Sequence, residues 1–326
     1  MSLPSIQRVL LESVAEADID GRFVIVNNIQ TYYKLAIPQQ HQIFLQNQMP
    51  LPNEPHKPVI LCLHHMLGNL YTWRNIIQPL ADATGCHVIS YDRISFGFTE
   101  RPTQWEENNN PYTQEANVEF VVQFLEQLGY GGRKVVFMGV SSGASISCAL
   151  AIKYPHIVHS LILLGPAIRH EDQGPPSMAR HILGSLPGRL YLKAILYRSL
   201  PYTKLYHNPE SIPDWESVMK PSYRAPLTLP NFYEAFSWLM KYFQPLEILG
   251  YKHILQQLPI CYITGDDDKY THLDIHKQVF NELKLNAPEN AMMEFYVLDK
   301  CGHLPQDEVP LQVLDVTINF IKRIGI

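Results

Sequence analysis

The sequence predicts an α/β protein: a mostly parallel sheet with helices on its faces and a single helical insertion. Three observations carry this. Short apolar runs alternate with longer segments of helical period, which is the pattern of βαβ units. A serine between glycines stands where one apolar run gives way to a small-residue helix. A stretch rich in proline and tyrosine then breaks the alternation before it resumes.

In chain order, Arg22–Ala36 reads as a hairpin, with FVIV and IQTYYKLA joined at the polar pair Asn27–Asn28. Residues 37–58 hold five prolines and many glutamines and read as a loop. Val59–His64 is a continuous apolar run, as expected of a central strand, and Trp73–Thr84 has helical spacing. His87–Tyr91 is the next strand. Gln114–Leu128 is an amphipathic helix with Val118, Val121, Val122, Leu125 and Leu128 on one face. The strand Lys134–Met138 leads through a sharp turn into a helix from Ser142 to Tyr154, and Ser160–Leu164 is another strand. The pattern resumes with the strand Ile260–Thr264, a helix over Asp274–Leu285, the strand Met293–Leu298 and a closing helix over Leu311–Ile324.

Residues 171–250 hold ten of the 25 prolines and seven of the 18 tyrosines, together with Trp215 and Trp238. They are expected to form a helical lid over a pocket at the carboxyl edge of the strands, where open α/β sheets place ligands. The chain then divides into a first core part (1–170), the lid (171–250) and a second core part (251–326).

Of the 326 residues, 46% are hydrophobic and 17% charged, enough to bury a sizeable core and too apolar for wholesale disorder. With 26 basic and 31 acidic side chains the net charge is −5, so nothing favours a general nucleic-acid binder. The longest apolar stretch, Ser160–Ile168, is far below the roughly 18 residues a membrane-crossing helix needs. The amino terminus lacks the features of a signal peptide, so a cytoplasmic location is expected. Five widely spaced cysteines, most of them inside apolar runs, suit reduced buried thiols.

The sharpest chemical signal is Gly139-Val140-Ser141-Ser142-Gly143, between the strand KVVFM and the helix SGASISCALAIKYP. A serine on so tight a turn needs small neighbours, and the turn projects its Oγ above the sheet edge. The following helix aims its first N–H groups at the site, so Ser142 is expected to contribute a backbone donor. A serine hydroxyl needs a base, and the base needs an orienting carboxylate. His303, after Gly302 on the loop following MEFYVL, is placed to be that base. Asp266, Asp267 and Asp268 lie on the loop after the preceding strand, and the order Ser, Asp, His is the one such hydrolases use.

With these residues together, the chain resembles the α/β-hydrolase superfamily from about Arg22 to Ile324. The family's Gly-x-x-Asp loop maps the acid onto Asp268, with Asp267 as the fallback and Asp266 shaping the turn. The segment Tyr91-Asp92-Arg93-Ile94-Ser95-Phe96-Gly97-Phe98-Thr99 resembles the family's strand-4 motif, in which Asp92 braces the loop. The oxyanion loop, usually His-Gly-x-x-Gly, here reads His64-His65-Met66-Leu67-Gly68. The resemblance implies that the Met66 N–H joins that of Ser142 as oxyanion donors. His65 stands where the family has glycine and is expected to crowd the acyl site or alter the loop.

The implied activity is hydrolysis of a small-to-medium hydrophobic ester through an acyl-enzyme on Ser141, with no metal or organic cofactor. Carbon–carbon bond hydrolases, cofactor-free haloperoxidases and proline-directed peptidases share the serine arrangement and remain alternatives. Epoxide hydrolases and haloalkane dehalogenases use an aspartate where this chain has Ser141. A non-catalytic small-ligand receptor on the same fold, or membrane-surface association through Phe232–Phe243, are readings of other classes. Oligomeric state is not legible.

Overall fold

The computed structural model describes residues 21–46, 57–106, 109–167, 182, 185–198, 204–212, 214, 220, 222–242 and 246–326. Eight strands form a single sheet in the order β1-β2-β4-β3-β5-β6-β7-β8. They are β1 (Arg22–Val26), β2 (Ile29–Ala36), β3 (Val59–Leu63), β4 (Val88–Tyr91), β5 (Val135–Val140), β6 (Val158–Leu164), β7 (Ile260–Gly265) and β8 (Met293–Leu298). The β1–β2 pair is antiparallel, as the hairpin predicts, and β2–β4 is antiparallel too, while the rest are parallel, as a mostly parallel sheet predicts.

The hairpin turn is Asn27–Asn28, with φ of 48° and 63°; two successive left-handed residues suit the twist of adjoining strands, and asparagine tolerates them. The apolar run of β3 is a run because both faces of that strand are covered, leaving Val59, Ile60, Leu61, Cys62 and Leu63 without exposed surface. All five cysteines are free and buried.

The flanking helices are α1 (Gln39–Gln46), α2 (Ile77–Thr84), α3 (Gln114–Gln127), α4 (Ser142–Lys153), α5 (Leu186–Arg198), α6 (Phe232–Tyr242), α7 (Leu273–Lys284) and α8 (Pro310–Arg323). Two differ from the sequence reading. Residues 37–58 are not loop throughout, because α1 forms there; the Gln39 N–H is capped from outside its own segment, by Asp82 Oδ1 of α2 at 2.7 Å. Residues 47–56 lie outside the described set.

The helix expected over Trp73–Thr84 is divided. A 3₁₀ turn, Leu70–Trp73, is capped by Asn69, and α2 starts only at Ile77. Pro79 imposes that start, since a proline fits the first turn of a helix and clashes with the carbonyl four residues earlier in its interior.

Of the 171–250 stretch the described portions include α5 and α6, while Trp215 and residues 171–181 lie outside them. Leu192 and Leu196 of α5 and Phe232 and Phe236 of α6 pack into one cluster with Phe96, which follows β4. Met66 and Leu67, which follow β3, pack against that cluster. The inserted helices therefore rest on loops at the carboxyl edge of the sheet.

Candidate active site

β5 ends at Val140, and Ser141 turns the chain into α4 with φ 53° and ψ −119°. That strained backbone is held on both sides: the Ser141 N–H donates to the Leu164 carbonyl at 2.9 Å, and its own carbonyl accepts from Ala144 and Ala167. The two glycines have separate steric reasons. A Cβ on Gly139 would meet Ala144 N at 2.5 Å, and one on Gly143 would meet the Leu63 carbonyl oxygen at 2.1 Å. Strand, turn and helix approach more closely here than any side chain permits.

The structure brings the three residues expected to act together into one hydrogen-bonded chain. His303 Nε2 lies 2.9 Å from Ser141 Oγ, and His303 Nδ1 lies 2.7 Å from Asp268 Oδ2. A carboxylate can only accept, so Nδ1 carries the proton and Nε2 is the free base facing the serine. Ser141, Asp268 and His303 are 6%, 2% and 3% exposed, which leaves this chain nearly dry. Burial opposes ionisation of Asp268. Hydrogen bonds from His276 and His303, with the backbone N–H of Thr271, outweigh it and hold the carboxyl well below the usual carboxylate range.

His276 was missed by the sequence reading. Its Nε2 approaches Asp268 Oδ2 at 3.4 Å, and its Nδ1 accepts from the Tyr262 hydroxyl at 2.8 Å. The signal was its place on the inner stripe of α7, where His276, Val279, Phe280 and Leu283 recur at helical spacing and are all buried.

The other acids do different things. Asp266 Oδ1 accepts the Cys301 N–H at 3.1 Å and so shapes the turn, while Asp267 faces His207 and Lys269. The Asp92 carboxylate accepts the N–H groups of Leu70 and Phe98, each at 2.7 Å, bracing the loops after β3 and β4. Glu308, also missed, accepts from the N–H groups of Gly302, His207 and Asn208. The His303 N–H donates to the Leu205 carbonyl at 2.7 Å. The loop carrying His303 is thus tied to the inserted segment.

His64-His65-Met66 follow β3, whose end lies against the first turn of α4 at Gly143. Among the described residues neither the Met66 N–H nor the Ser142 N–H is used in a hydrogen bond. The His64 ring spends both nitrogens on backbone: Nδ1–H donates to the His65 carbonyl at 2.7 Å, and Nε2 accepts the Arg93 N–H at 3.0 Å. Neither nitrogen is left for a metal. The His65 ring lies against Gly68, where a Cβ would come within 2.6 Å of it, so a side chain at position 68 would have to displace the ring. Neither ring nitrogen of His65 has a partner. Burial, helped by the nearby His303 and Arg93, pulls its pKa down to about 3 and keeps it neutral. Ser142 Oγ accepts from Arg93 Nη2 at 2.9 Å and is not the serine facing His303.

A family model described as "alpha/beta hydrolase fold" matches residues 58–310. Over 273 residues the chain is 24% identical to the uncharacterized hydrolase YugF of Bacillus subtilis, covering 82% of this chain and 91% of that one. Over 107 residues it is 30% identical to 2-hydroxy-6-oxo-6-(2'-aminophenyl)hexa-2,4-dienoic acid hydrolase of Metapseudomonas resinovorans, 32% of this chain and 34% of that protein. Among solved structures, a serine hydrolase involved in carbazole degradation superposes with a TM-score of 0.66 at 21% identity, covering 93% of this chain and 98% of that one. The family match spans β3 to the start of α8, and so includes every strand whose carboxyl end supplies part of the site. The chain belongs to the alpha/beta hydrolase fold family, and it is a hydrolase of that type.

Proposed function

We propose that the protein is a serine hydrolase of carboxylic esters with a small-to-medium, largely apolar body. The observation that carries this is the Ser141–His303–Asp268 hydrogen-bonded chain beside two unused backbone N–H groups. Ser141 Oγ attacks the acyl carbonyl as its proton passes to His303 Nε2, whose imidazolium Asp268 stabilises. The carbonyl oxygen becomes an oxyanion held by the N–H groups of Met66 and Ser142, each worth about 3 kcal/mol in the transition state. The tetrahedral intermediate expels the alkoxide, which takes the proton from His303 and leaves an acyl-enzyme. Water then attacks, giving its proton to His303, and the acid leaves as Ser141 is re-protonated. Helices α5 and α6, resting on Met66, Leu67 and Phe96, serve in this reading as a lid, and a cytoplasmic setting suits the five free thiols.

A second reading, hydrolysis of a carbon–carbon bond by the same serine, is favoured by the local match to the dienoic acid hydrolase. The test is labelling by a fluorophosphonate probe and turnover of nitrophenyl esters, beside Ser141→Ala. Both are expected in the wild type and absent in the variant. Labelling with no ester turnover would favour the carbon–carbon reading, and no labelling of the folded wild type would overturn both.

A further inference from the structure

Arg93 follows β4 and is 5% exposed, yet among the described residues it has no carboxylate partner. Its neighbour Asp92 has its carboxylate committed to the Leu70 and Phe98 N–H groups. Of five guanidinium N–H donors, Nη2 bonds Ser142 Oγ, and Nε is buried with no acceptor. The remaining attraction is the face of Phe96, 5.1 Å from the guanidinium carbon. Burying a cation costs several kcal/mol unless an anion answers it, and Arg74, by contrast, is paired with Asp307 at 2.5 Å. Burial draws the Arg93 guanidinium down only to about 10, so it is charged at neutral pH.

Arg93 lines a cavity with Met66, Ser142, Ile146, Leu239 and Leu246. Met66 and Ser142 carry the two unused N–H groups, so the cavity adjoins the place where an acyl carbonyl would sit. Of the other polar side chains on its wall, Ser145 Oγ donates to the Ala167 carbonyl, Asn117 to that of Thr113 and the Tyr112 hydroxyl to that of Pro102, which leaves the Gln114 amide as a neutral polar neighbour of Arg93. The first turn of α4, which begins at Ser142, adds its positive end. The open space is about 50 Å³, room for about three or four waters, and hence for a carboxylate group but not a long chain.

We propose that Arg93 and this cavity form a carboxylate subsite, and that the substrate carries a carboxylate on the acyl side of the bond cleaved at Ser141. The second half rests on the serine-hydrolase reading; the subsite itself does not. Nε is shut off from the cavity and Nη2 is held by Ser142, so Nη1 is the donor a ligand reaches, and one fixed cation there suits a monoanion through a charge-assisted hydrogen bond. The wall is otherwise mostly apolar, with the Gln114 amide as its neutral polar exception, so the ligand is a largely apolar acid with its charged end at Arg93. If Arg93 were only a brace for Ser142 and Phe96, binding would be indifferent to the charge of the ligand.

Two measurements separate the halves. Calorimetric titration with butyrate and with neutral butyramide is made on wild type, Ser141→Ala, Arg93→Lys and Arg93→Met. Butyrate is expected to bind wild type and Ser141→Ala alike, to lose at least about tenfold in Arg93→Met and to keep part of its affinity in Arg93→Lys. Equal affinity for butyrate and butyramide, or butyrate binding untouched in a folded Arg93→Met, overturns the subsite. If Arg93→Met does not fold, the wild-type comparison decides alone. Methyl phosphate bound more tightly than butyrate would also overturn the assignment to carboxylate.

Hydrolysis of monoethyl succinate against ethyl butyrate then tests the substrate half. Wild type is expected to favour the charged ester in kcat/KM by at least about tenfold, with most of the difference in KM. No preference overturns that half. Failure of fluorophosphonate labelling would remove the serine-hydrolase reading and leave the butyrate titration to stand or fall by itself.

Discussion

His276 Nε2 lies 3.4 Å from the same Asp268 oxygen that His303 Nδ1 holds at 2.7 Å. The Tyr262 hydroxyl completes the line behind it, at 2.8 Å from His276 Nδ1. Because Nδ1 accepts from tyrosine, Nε2 carries the proton and is a donor to the carboxylate. His276→Phe keeps the ring and removes both bonds, leaving the buried Tyr262 hydroxyl without its acceptor. It is expected to destabilise by about 1–3 kcal/mol, the cost of an unmet buried polar group. Tyr262→Phe in the same chain removes that penalty, so the double variant should be no less stable than His276→Phe alone. Urea denaturation of the two single variants and the double one checks this, and strict additivity would contradict it.

Asp268 and Asp267 differ by one position and by environment. Asp268→Asn preserves the shape of the buried acid but cannot hold His303 in its Nδ1–H form, and kcat should fall by about 10⁴. Asp267→Asn loses only a half-exposed pairing with His207 and Lys269 and should stay within about threefold. The acid limb of stability supplies a second readout. The folded-state pKa of Asp268 is depressed, so its stabilising contribution is full above the unfolded value near about 4. It is lost as pH falls below that value toward the folded one. The stability gap between wild type and Asp268→Asn should therefore narrow below about pH 4 in acid titrations of the unfolding free energy.

His65 gives a handle of the same sign, at milder pH. Its ring stays neutral down to about 3 in the folded chain, whereas in the unfolded chain it takes a proton near about 6.5. The unfolded state then binds more protons between these values, so stability falls as pH drops from about 6.5 toward 3. The contribution from one such group has a slope of about 1.4 kcal/mol per pH unit. His65→Phe fills the same space without titrating and should flatten the pH 4–6 stability profile by about one proton. An unchanged slope would mean that the ring is hydrated or paired when folded.

Gly143 and Gly129 make a controlled pair for the turn at Ser141. A Cβ at position 143 would lie 2.1 Å from a backbone oxygen of β3, whereas at position 129 it meets nothing and only the φ of +82° resists it. Gly129→Ala should cost about 1–2 kcal/mol of stability and leave probe labelling intact. Gly143→Ala must push α4 away from β3, and should abolish labelling of Ser141 even in molecules that fold. Thermal melts beside fluorophosphonate labelling separate the two costs.

Much of the fold and of the site is legible in the order of residue types along the chain. The unbroken apolar run at Val59–Leu63 marked β3 because that strand is covered on both faces. The positions of Ser141, Asp268 and His303 could be read because each follows a strand whose carboxyl end meets the others. What was not legible depends on contacts between distant segments. Helix α1 is capped by Asp82 from another helix, so its own sequence carries no start signal. His276 looks like one more residue on a helix face until its partner eight positions earlier is folded onto it. Arg93 sits in a segment read as structural; its want of a counter-ion becomes visible only when Asp92 is found bonded elsewhere.

Glu308 accepts from three backbone N–H groups, those of Gly302, His207 and Asn208, at 2.7, 3.0 and 2.7 Å. One of these is adjacent to His303 and two belong to the inserted segment, whose Leu205 carbonyl takes the His303 N–H. The carboxylate therefore fixes the loop that aims His303 and the segment that packs on it. Glu308→Gln keeps the length of the side chain but replaces one acceptor oxygen by a donor facing an N–H. It should cost about 1.5–3 kcal/mol, the worth of charged hydrogen bonds. The catalytic effect should fall on kcat, by about tenfold, because a loosened His303 weakens the transition state more than substrate binding. Glu308→Ala, which removes the repulsion as well as the bonds, should lose stability without being worse than Glu308→Gln in kcat. Steady-state kinetics and melts on both variants check this, and a change confined to KM would show that Glu308 serves the inserted segment and not the histidine.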